Sequence, residues 1–253
     1  MHRGLQWRAW VWIAALLLAG CATTPEGEER PGRAEDYYNI GVAYLNSGEP
    51  RRALPELARA IEMAPTQAPY HRALGLAYQY IRNLPEAVKA FRRAVELDPK
   101  FADAFIDLGQ AYLEQGDLPR AEQAVQAALA NSLYPTPQRA HFTLGTIYQR
   151  QGRLEEAGGE FRRAVDVDPE LANAHNSLGM IYLAQSKLDQ AIASFQTASR
   201  LRPNVAEVHG NLGIAYFQAG RRAEAKTALE QALKLQPVGP TADGLRDYLR
   251  RLK

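Results

Sequence analysis

The chain is expected to fold as an all-α solenoid of six stacked helical hairpins followed by one C-terminal helix. The pattern Leu/Ile-Gly-x-x-Tyr recurs at Gly41, Gly75, Gly109, Gly145, Gly179 and Gly213, at intervals of 34 residues except for 36 between Gly109 and Gly145. A fixed period in this range signals an array, each unit too small to bury its own apolar face and stable only against its neighbours. Within each period the apolar and small residues fall at spacings of 3 and 4, which places them on one helical face. Glycine and proline then punctuate the pattern at constant offsets.

Set in register, the units begin at Ala34, Ala68, Ala102, Gln138, Ala172 and Ala206, spanning 34–67, 68–101, 102–137, 138–171, 172–205 and 206–239. The first helix of each carries the glycine, where a missing side chain lets a partner helix approach. Three residues later stands Tyr44, Tyr78, Tyr112, Tyr148, Tyr182 or Tyr216. The second helix carries the pairs Ala53/Ala60, Ala87/Ala94, Ala121/Ala128, Ala157/Ala164, Ala191/Ala198 and Ala225/Ala232. Between each pair lies Leu57, Phe91, Val125, Phe161, Phe195 or Leu229, sized to fill the space the alanines leave.

Gly48, Gly116, Gly152 and Gly220 mark the turn inside a hairpin, and Pro85 and Pro119 start second helices, where a missing N–H costs nothing. Pro65, Pro99, Pro169, Pro203 and Pro237 close units. Pro55 and Gly158-Gly159 fall inside second helices, and kinking or loosening is expected there, each glycine costing about 1 kcal/mol relative to alanine. The end segment, 240–253, reads as a capping helix with Leu245, Tyr248, Leu249 and Leu252 on one side and arginines on the other.

The N-terminus is a different kind of sequence. Arg3 and Arg8 precede an apolar run from Ala9 to Leu18, too short for an ordinary spanning helix of roughly 20 residues and suited to a secretory signal over 1–20. Leu18-Ala19-Gly20-Cys21 closely resembles the bacterial lipobox, and Cys21 is the sole cysteine. That resemblance implies signal removal, a diacylglycerol on the Cys21 thiol and an acyl chain on its new amino group. Ala22 rather than Asp after the cysteine implies passage to the outer membrane. Several chains suit stable attachment, since each buried CH2 contributes roughly 0.8 kcal/mol and one chain is marginal. No second cysteine is present to form a disulfide in the mature domain. The segment 21–33 has no large apolar side chain beyond the lipidated position and reads as a flexible tether. Its twelve residues from Ala22 to Arg33 reach about 40 Å at most and roughly 20 Å on average.

The 30 basic and 28 acidic residues give a net charge of +2, and the signal accounts for the excess through Arg3 and Arg8. A balanced mature domain offers no electrostatic reason to bind nucleic acid. Nucleotide loops, nucleophile elbows and metal motifs such as H-E-x-x-H are missing from the sequence, so neither an enzyme, a small-molecule substrate nor a cofactor other than the lipid is expected. His71, His141, His175 and His209 occupy one repeat position. Equivalent positions in packed neighbours lie roughly 8–10 Å apart, while zinc ligands sit about 2 Å from a shared ion. A structural role is expected for them.

These motifs match the tetratricopeptide repeat, with its L-G-x2-Y, A-x3-F and closing proline, and the resemblance covers Ala34 to Pro237. The usual tryptophan is replaced by Tyr37, His71, Phe105, His141, His175 and His209. The resemblance implies a right-handed superhelix whose first helices line a concave groove. Carried onto this sequence, the groove positions place there Tyr38, Val42 and Leu45, then Leu76 and Tyr80, Ile106 and Leu113, Phe142, Met180 and Leu183, and finally Ile214 and Phe217. Arg72, Gln110, Arg150 and Asn176 interrupt an otherwise nearly continuous apolar strip. Val42, Leu76 and Ile214 suit packing between repeats equally well. The Lys/Asn carboxylate clamp of chaperone-binding relatives is missing, and of the sugar-transferase relatives' asparagine ladder only Asn39 and Asn211 remain. The expected ligand is an extended or helical apolar segment of another protein.

Leu133-Tyr134-Pro135-Thr136-Pro137 supplies the two extra residues in the long interval. Together with the lipobox, six repeats and this length, it resembles the type IV pilus pilotin lipoproteins (the PilF, PilW and Tgl group). Where members often carry Asn-Asn-Tyr-Gly in the third unit, this chain has Ile106-Asp107-Leu108-Gly109. The resemblance implies a lipid-anchored scaffold on the periplasmic face of the outer membrane, with the pilus secretin as partner and a role in secretin localisation and multimerisation, hence in pilus biogenesis and twitching or social motility. The alternative that shares anchor and repeats is a periplasmic adaptor for cell-wall hydrolases, proteases or another envelope complex.

Overall fold

The structure, a computed structural model, describes residues 33–131 and 134–252. The expected signal over 1–20, Cys21, the expected tether up to Gly32, and Leu133 of the irregular junction lie outside the described residues. Thirteen α-helices and no strand occur among those described. They pair as α1 (Ala34–Asn46) with α2 (Pro50–Met63), α3 (Ala68–Tyr80) with α4 (Leu84–Leu97), and α5 (Ala102–Gln115) with α6 (Leu118–Leu129). Then follow α7 (Pro137–Arg150) with α8 (Leu154–Val167), α9 (Ala172–Ala184) with α10 (Leu188–Leu201), and α11 (Ala206–Gln218) with α12 (Arg222–Leu235). The single helix α13 (Pro240–Arg251) ends the stack.

Each hairpin closes on one contact. The glycine of the first helix faces the large residue sixteen positions later: Gly41 meets Leu57, Gly75 Phe91, Gly109 Val125, Gly145 Phe161, Gly179 Phe195 and Gly213 Leu229. A Cβ added at Gly41, Gly75, Gly145, Gly179 or Gly213 would sit 2.5–2.7 Å from the partner's carbons. Those six partners, and the twelve alanines flanking them, are fully buried. The helix axes can therefore approach until side chain touches backbone, and dispersion contacts replace the void a side chain would otherwise need.

Neighbouring repeats meet through each second helix and the following first helix, and first helices also touch one another along most of the stack. Among the described residues, second helices make no comparable contact with each other, so the array curves with its first helices on the inner side. The turns need a left-handed residue: Gly48, Gly116, Gly152 and Gly220 have φ of 73–82°, and in the second and fifth repeats Arg82 and Ser186 adopt it at 64° and 58°.

Neither Pro55 nor Gly158-Gly159 breaks its helix. Pro55 points to solvent in α2. Gly158 has a packing reason, because a Cβ there would meet Ile181 Cγ2 of the next repeat at 3.2 Å. Nothing stands within 4 Å of a Cβ at Gly159.

The histidines hold repeat boundaries. Nε2 of His71, His175 and His209 donates to the carbonyls of Pro65, Pro169 and Pro203 at 2.8, 3.0 and 2.8 Å. In the fourth repeat, which no closing proline precedes, His141 Nδ1 instead lies 2.7 Å from Glu160. At that irregular boundary Asn131 donates to the Lys100 carbonyl at 3.0 Å. Glu122 takes hydrogen bonds from Gln151 and Arg153, both at 3.0 Å. Burial pushes the Glu122 carboxyl up, and those two donors outweigh it and hold the group below the ordinary carboxylate range. At the far end α13 lays Leu245 against Leu229 and Ala232, and Arg222 donates to the carbonyls of Arg251, the last residue of α13, and of Leu252 just after it, at 3.4 Å each.

Two glycines of the chain should respond oppositely to the same substitution. Gly75→Ala, which drives a methyl into the Phe91 ring, should cost about 1–3 kcal/mol as overpacking. Gly159→Ala, in open space within a helix, should add up to about 1 kcal/mol. Urea-unfolding midpoints of the two variants against the parent check this.

Candidate functional site

The inner face of the stack is built by the first helices, and it divides into three regions. At the N-terminal end, Tyr38, Val42, Leu45, Leu76 and Tyr80 come together with Arg72 and Phe101 around a cleft of about 250 Å³. Tyr38 stacks on Tyr70 of the next repeat, ring centroids 4.6 Å apart at 22°, which fixes one wall. Tyr80 is 64% exposed and forms the rim. A more open depression of about 670 Å³ lies beside His71, Tyr78, Lys89 and Arg93, away from the inner-face positions.

The centre is polar: the expected interruptions Arg72, Gln110 and Arg150 gather there and divide the nearly continuous apolar strip in two. Ile106 is fully buried and Leu113 nearly so; both belong to the core, because neighbouring first helices close over them at this point. Asp107 occupies the middle with no exposed surface. Arg72 Nε donates to one of its oxygens at 2.6 Å, and Arg139 of the fourth repeat donates to the other. Arg139 also reaches Gln110 at 3.3 Å and Asp103 at 3.4 Å, and the Tyr134 hydroxyl donates to Asp103 at 3.0 Å. Burial, reinforced by the Asp103 carboxylate, pushes the Tyr134 phenol up from its ordinary range. Gln110 bonds Thr143 at 3.4 Å and Arg150 donates to the Leu113 carbonyl at 3.0 Å. A carboxylate taken out of water is strongly penalised unless paired and hydrogen-bonded, and here two guanidinium groups meet that need.

Toward the C-terminus Phe142 lies half-buried 5.7 Å from the Phe161 ring. Met180 is 39% exposed and Leu183 half-buried. Ile214 and Phe217 are shared with the terminal helix: Ile214 packs in the cluster around Leu245, and Phe217 meets Tyr248 edge-on at 5.1 Å, with Arg251 4.9 Å above it. Asn211 donates to Asn176 at 3.1 Å, and Asn176 to Glu207 at 3.4 Å, a short polar rung beside this patch.

Sequence reasoning missed Asp107, Arg139 and Tyr134. The signal was present: Arg72, Asp107 and Arg139 are opposite charges about one period apart at inner-face positions of successive first helices. Among the described residues no group of three or more His, Cys, Asp or Glu could hold a metal ion, and no helix is long and apolar enough to cross a membrane.

The ion-paired centre should be the most sensitive polar feature of the fold. Arg72 and Arg139 keep 27% and 37% of their side chains in water and can turn outward when released. Asp107→Asn should therefore cost about 3 kcal/mol, the lower end for breaking a buried pair. Arg72→Met, which leaves Asp107 its Arg139 partner, should cost about 1–2 kcal/mol. Thermal unfolding of both variants gives the comparison.

No curated protein matches the sequence. Three of the solved structures that share the fold illustrate the likeness. The PilF chain of Pseudomonas aeruginosa superposes with a TM-score of 0.78 at 19% identity, covering 85% of this chain and 96% of that one. PilW, a widely conserved type IV pilus biogenesis factor, gives 0.77 at 18%, covering 84% and 98%. The Cut9–Hcn1 hetero-tetramer of the APC/C gives 0.76 at 19%, covering 97% of this chain but 46% of that chain. Tetratricopeptide-repeat family models match residues 34–67, 72–140, 138–204 and 170–237, and with six glycine-closed hairpins in the structure the chain belongs to the tetratricopeptide-repeat family.

Proposed function

We propose that this chain is a pilotin-type lipoprotein. Cys21 carries a diacylglycerol and an N-acyl chain that hold it on the periplasmic face of the outer membrane. The inner face of the repeats binds the type IV pilus secretin and favours its localisation and assembly into a multimer. The observation that carries the reading is one of extent: two type IV pilus proteins are matched over 96–98% of their own length at TM-scores of 0.77–0.78. The lipobox at Leu18–Cys21 and the Tyr134-Pro135 junction support it. So does the apolar N-terminal cleft, which suits the side chains of an apolar segment better than a charged terminus. In this scheme the repeats do no chemistry. They raise the local concentration of secretin subunits near the membrane, as tethered binding does.

A deletion strain should lose the heat- and detergent-resistant secretin multimer together with surface pili. Normal multimers in that strain would sink the proposal. Tyr80→Ser with Met180→Ser removes two exposed anchors at little expense to packing and should weaken secretin binding about tenfold or more; titration with unchanged circular dichroism is the check.

Cys21→Ala should give a folded protein without acyl chains that no longer fractionates with the outer membrane. Recovery of that variant still acylated refutes the anchor, whatever the groove binds.

A further inference from the structure

In repeats three to six the apolar residue preceding the glycine is covered by the second helix of the repeat before it. Leu108, Leu144, Leu178 and Leu212 are 4–7% exposed. Among the described residues no helix precedes the first repeat, and its counterpart Ile40 is 44% exposed. Met63, at the end of α2, is 51% exposed, and Pro55 stands out to solvent from the same helix. Tyr37 and Tyr44 are half-buried, with Arg59 and Arg52 lying 5.7 and 4.3 Å over their rings. The other end of the stack is closed by α13, so among the described residues the solenoid has one capped and one bare end.

The bare end is where the chain enters. Cys21 precedes Arg33 by twelve residues, which reach about 40 Å at most, and the segment 22–32 contains no large apolar side chain that could cover Ile40 or Met63. We infer that this end rests on the headgroup interface of the bilayer to which Cys21 is anchored, with Ile40, Met63 and the two tyrosines turned toward the lipid; the inference rests on the acylation of Cys21. Tyrosine rings and arginines with apolar stems are suited to that interface. The charges of the face are largely paired within it: Arg52 with Glu49 at 2.6 Å, Arg59 with Glu56 at 3.5 Å and Arg33 with Asp36 at 3.5 Å. Attraction therefore comes from burial of apolar and aromatic surface rather than from anionic headgroups. A short tether makes even a weak contact occupied, because it replaces a bimolecular encounter by one at high effective concentration. The stack then stands end-on, with its inner face opening sideways rather than pressed on the membrane.

The three tryptophans, Trp7, Trp10 and Trp12, all lie in the signal, so one introduced tryptophan reports alone in the mature protein. Acylated mature Ile40→Trp and Val238→Trp proteins, beginning at Cys21, would be reconstituted on vesicles of phosphatidylethanolamine and phosphatidylglycerol, with and without brominated acyl chains. Val238 is 72% exposed at the opposite end. Emission of the Ile40→Trp protein should fall about twofold or more on brominated lipid, independently of salt, while that of Val238→Trp stays unchanged. Met63→Trp serves as a second probe of the same face and should behave like Ile40→Trp. Equal emission from all three on both lipids, with Cys21 acylation confirmed by mass spectrometry, overturns the docking and leaves the anchor standing. Unquenched probes at residues 40 and 63 whose emission shifts with protein density would assign the face to a second copy instead. Absence of acyl chains on Cys21 overturns anchor and docking together.

Discussion

The contact between a glycine and the side chain sixteen residues later is the constraint on which the rest of the structure depends. It sets how closely two helices of a hairpin approach, and so how much of each is left for the next repeat to cover. With Phe91, Phe161 and Phe195 pressed on bare backbone, the pair becomes a slab with two apolar sides, and a slab is stable only in a stack. The constraint also propagates between repeats. Ile181 stands where most repeats have alanine, and Gly158 on the preceding helix is the space it enters. A large residue gained on one element is matched by a side chain lost on its neighbour, as dense packing requires.

The same closeness explains the polar centre. Where first helices of successive repeats touch, an inner-face side chain has no water above it, and Asp107 is held only because Arg72 and Arg139 reach it from both sides. The two extra residues of the long interval are part of that arrangement. They carry Tyr134 to Asp103 and start α7 so that Arg139, near its first turn, faces Asp107. The irregular boundary thus joins the second, third and fourth repeats through one charge network. The Asn176–Asn211 rung joins the fifth and sixth separately.

The periodic part of this fold was legible because it rests on local requirements that each repeat states again, glycine at the close approach and alanine on the facing helix, with a turn glycine in four of the six. Six copies make each requirement unmistakable, and even the unusual histidines were readable as structural. What could not be read was the environment of an inner-face position. Ile106 and Leu113 carry the same side-chain types as Leu76 and Met180, yet they are buried, because exposure there depends on how far neighbouring helices turn. Phe217 was assigned to an open groove and Ile214 to the groove or to packing between repeats, although α13 shares both; no repeat spacing encodes where a terminal helix lies. Pro55 and Gly158 looked like defects only while their surroundings were unknown. One lies on a face with no neighbour, the other beneath an isoleucine.

A groove with a paired centre imposes a condition on whatever lies along it. An acidic ligand crossing the middle would compete with Asp107 for Arg72 and Arg139, and each arginine it drew away would leave a buried carboxylate less compensated, at a cost of kcal/mol order. A basic ligand would face guanidinium groups already in place. An uncharged, apolar segment disturbs neither, and can seat one side chain in the Tyr38–Tyr80 cleft and another against Met180 without entering the centre. Discrimination then arises less from attraction at the two apolar patches than from the penalty for charge between them, which is how a surface with few polar contacts to offer can still be selective.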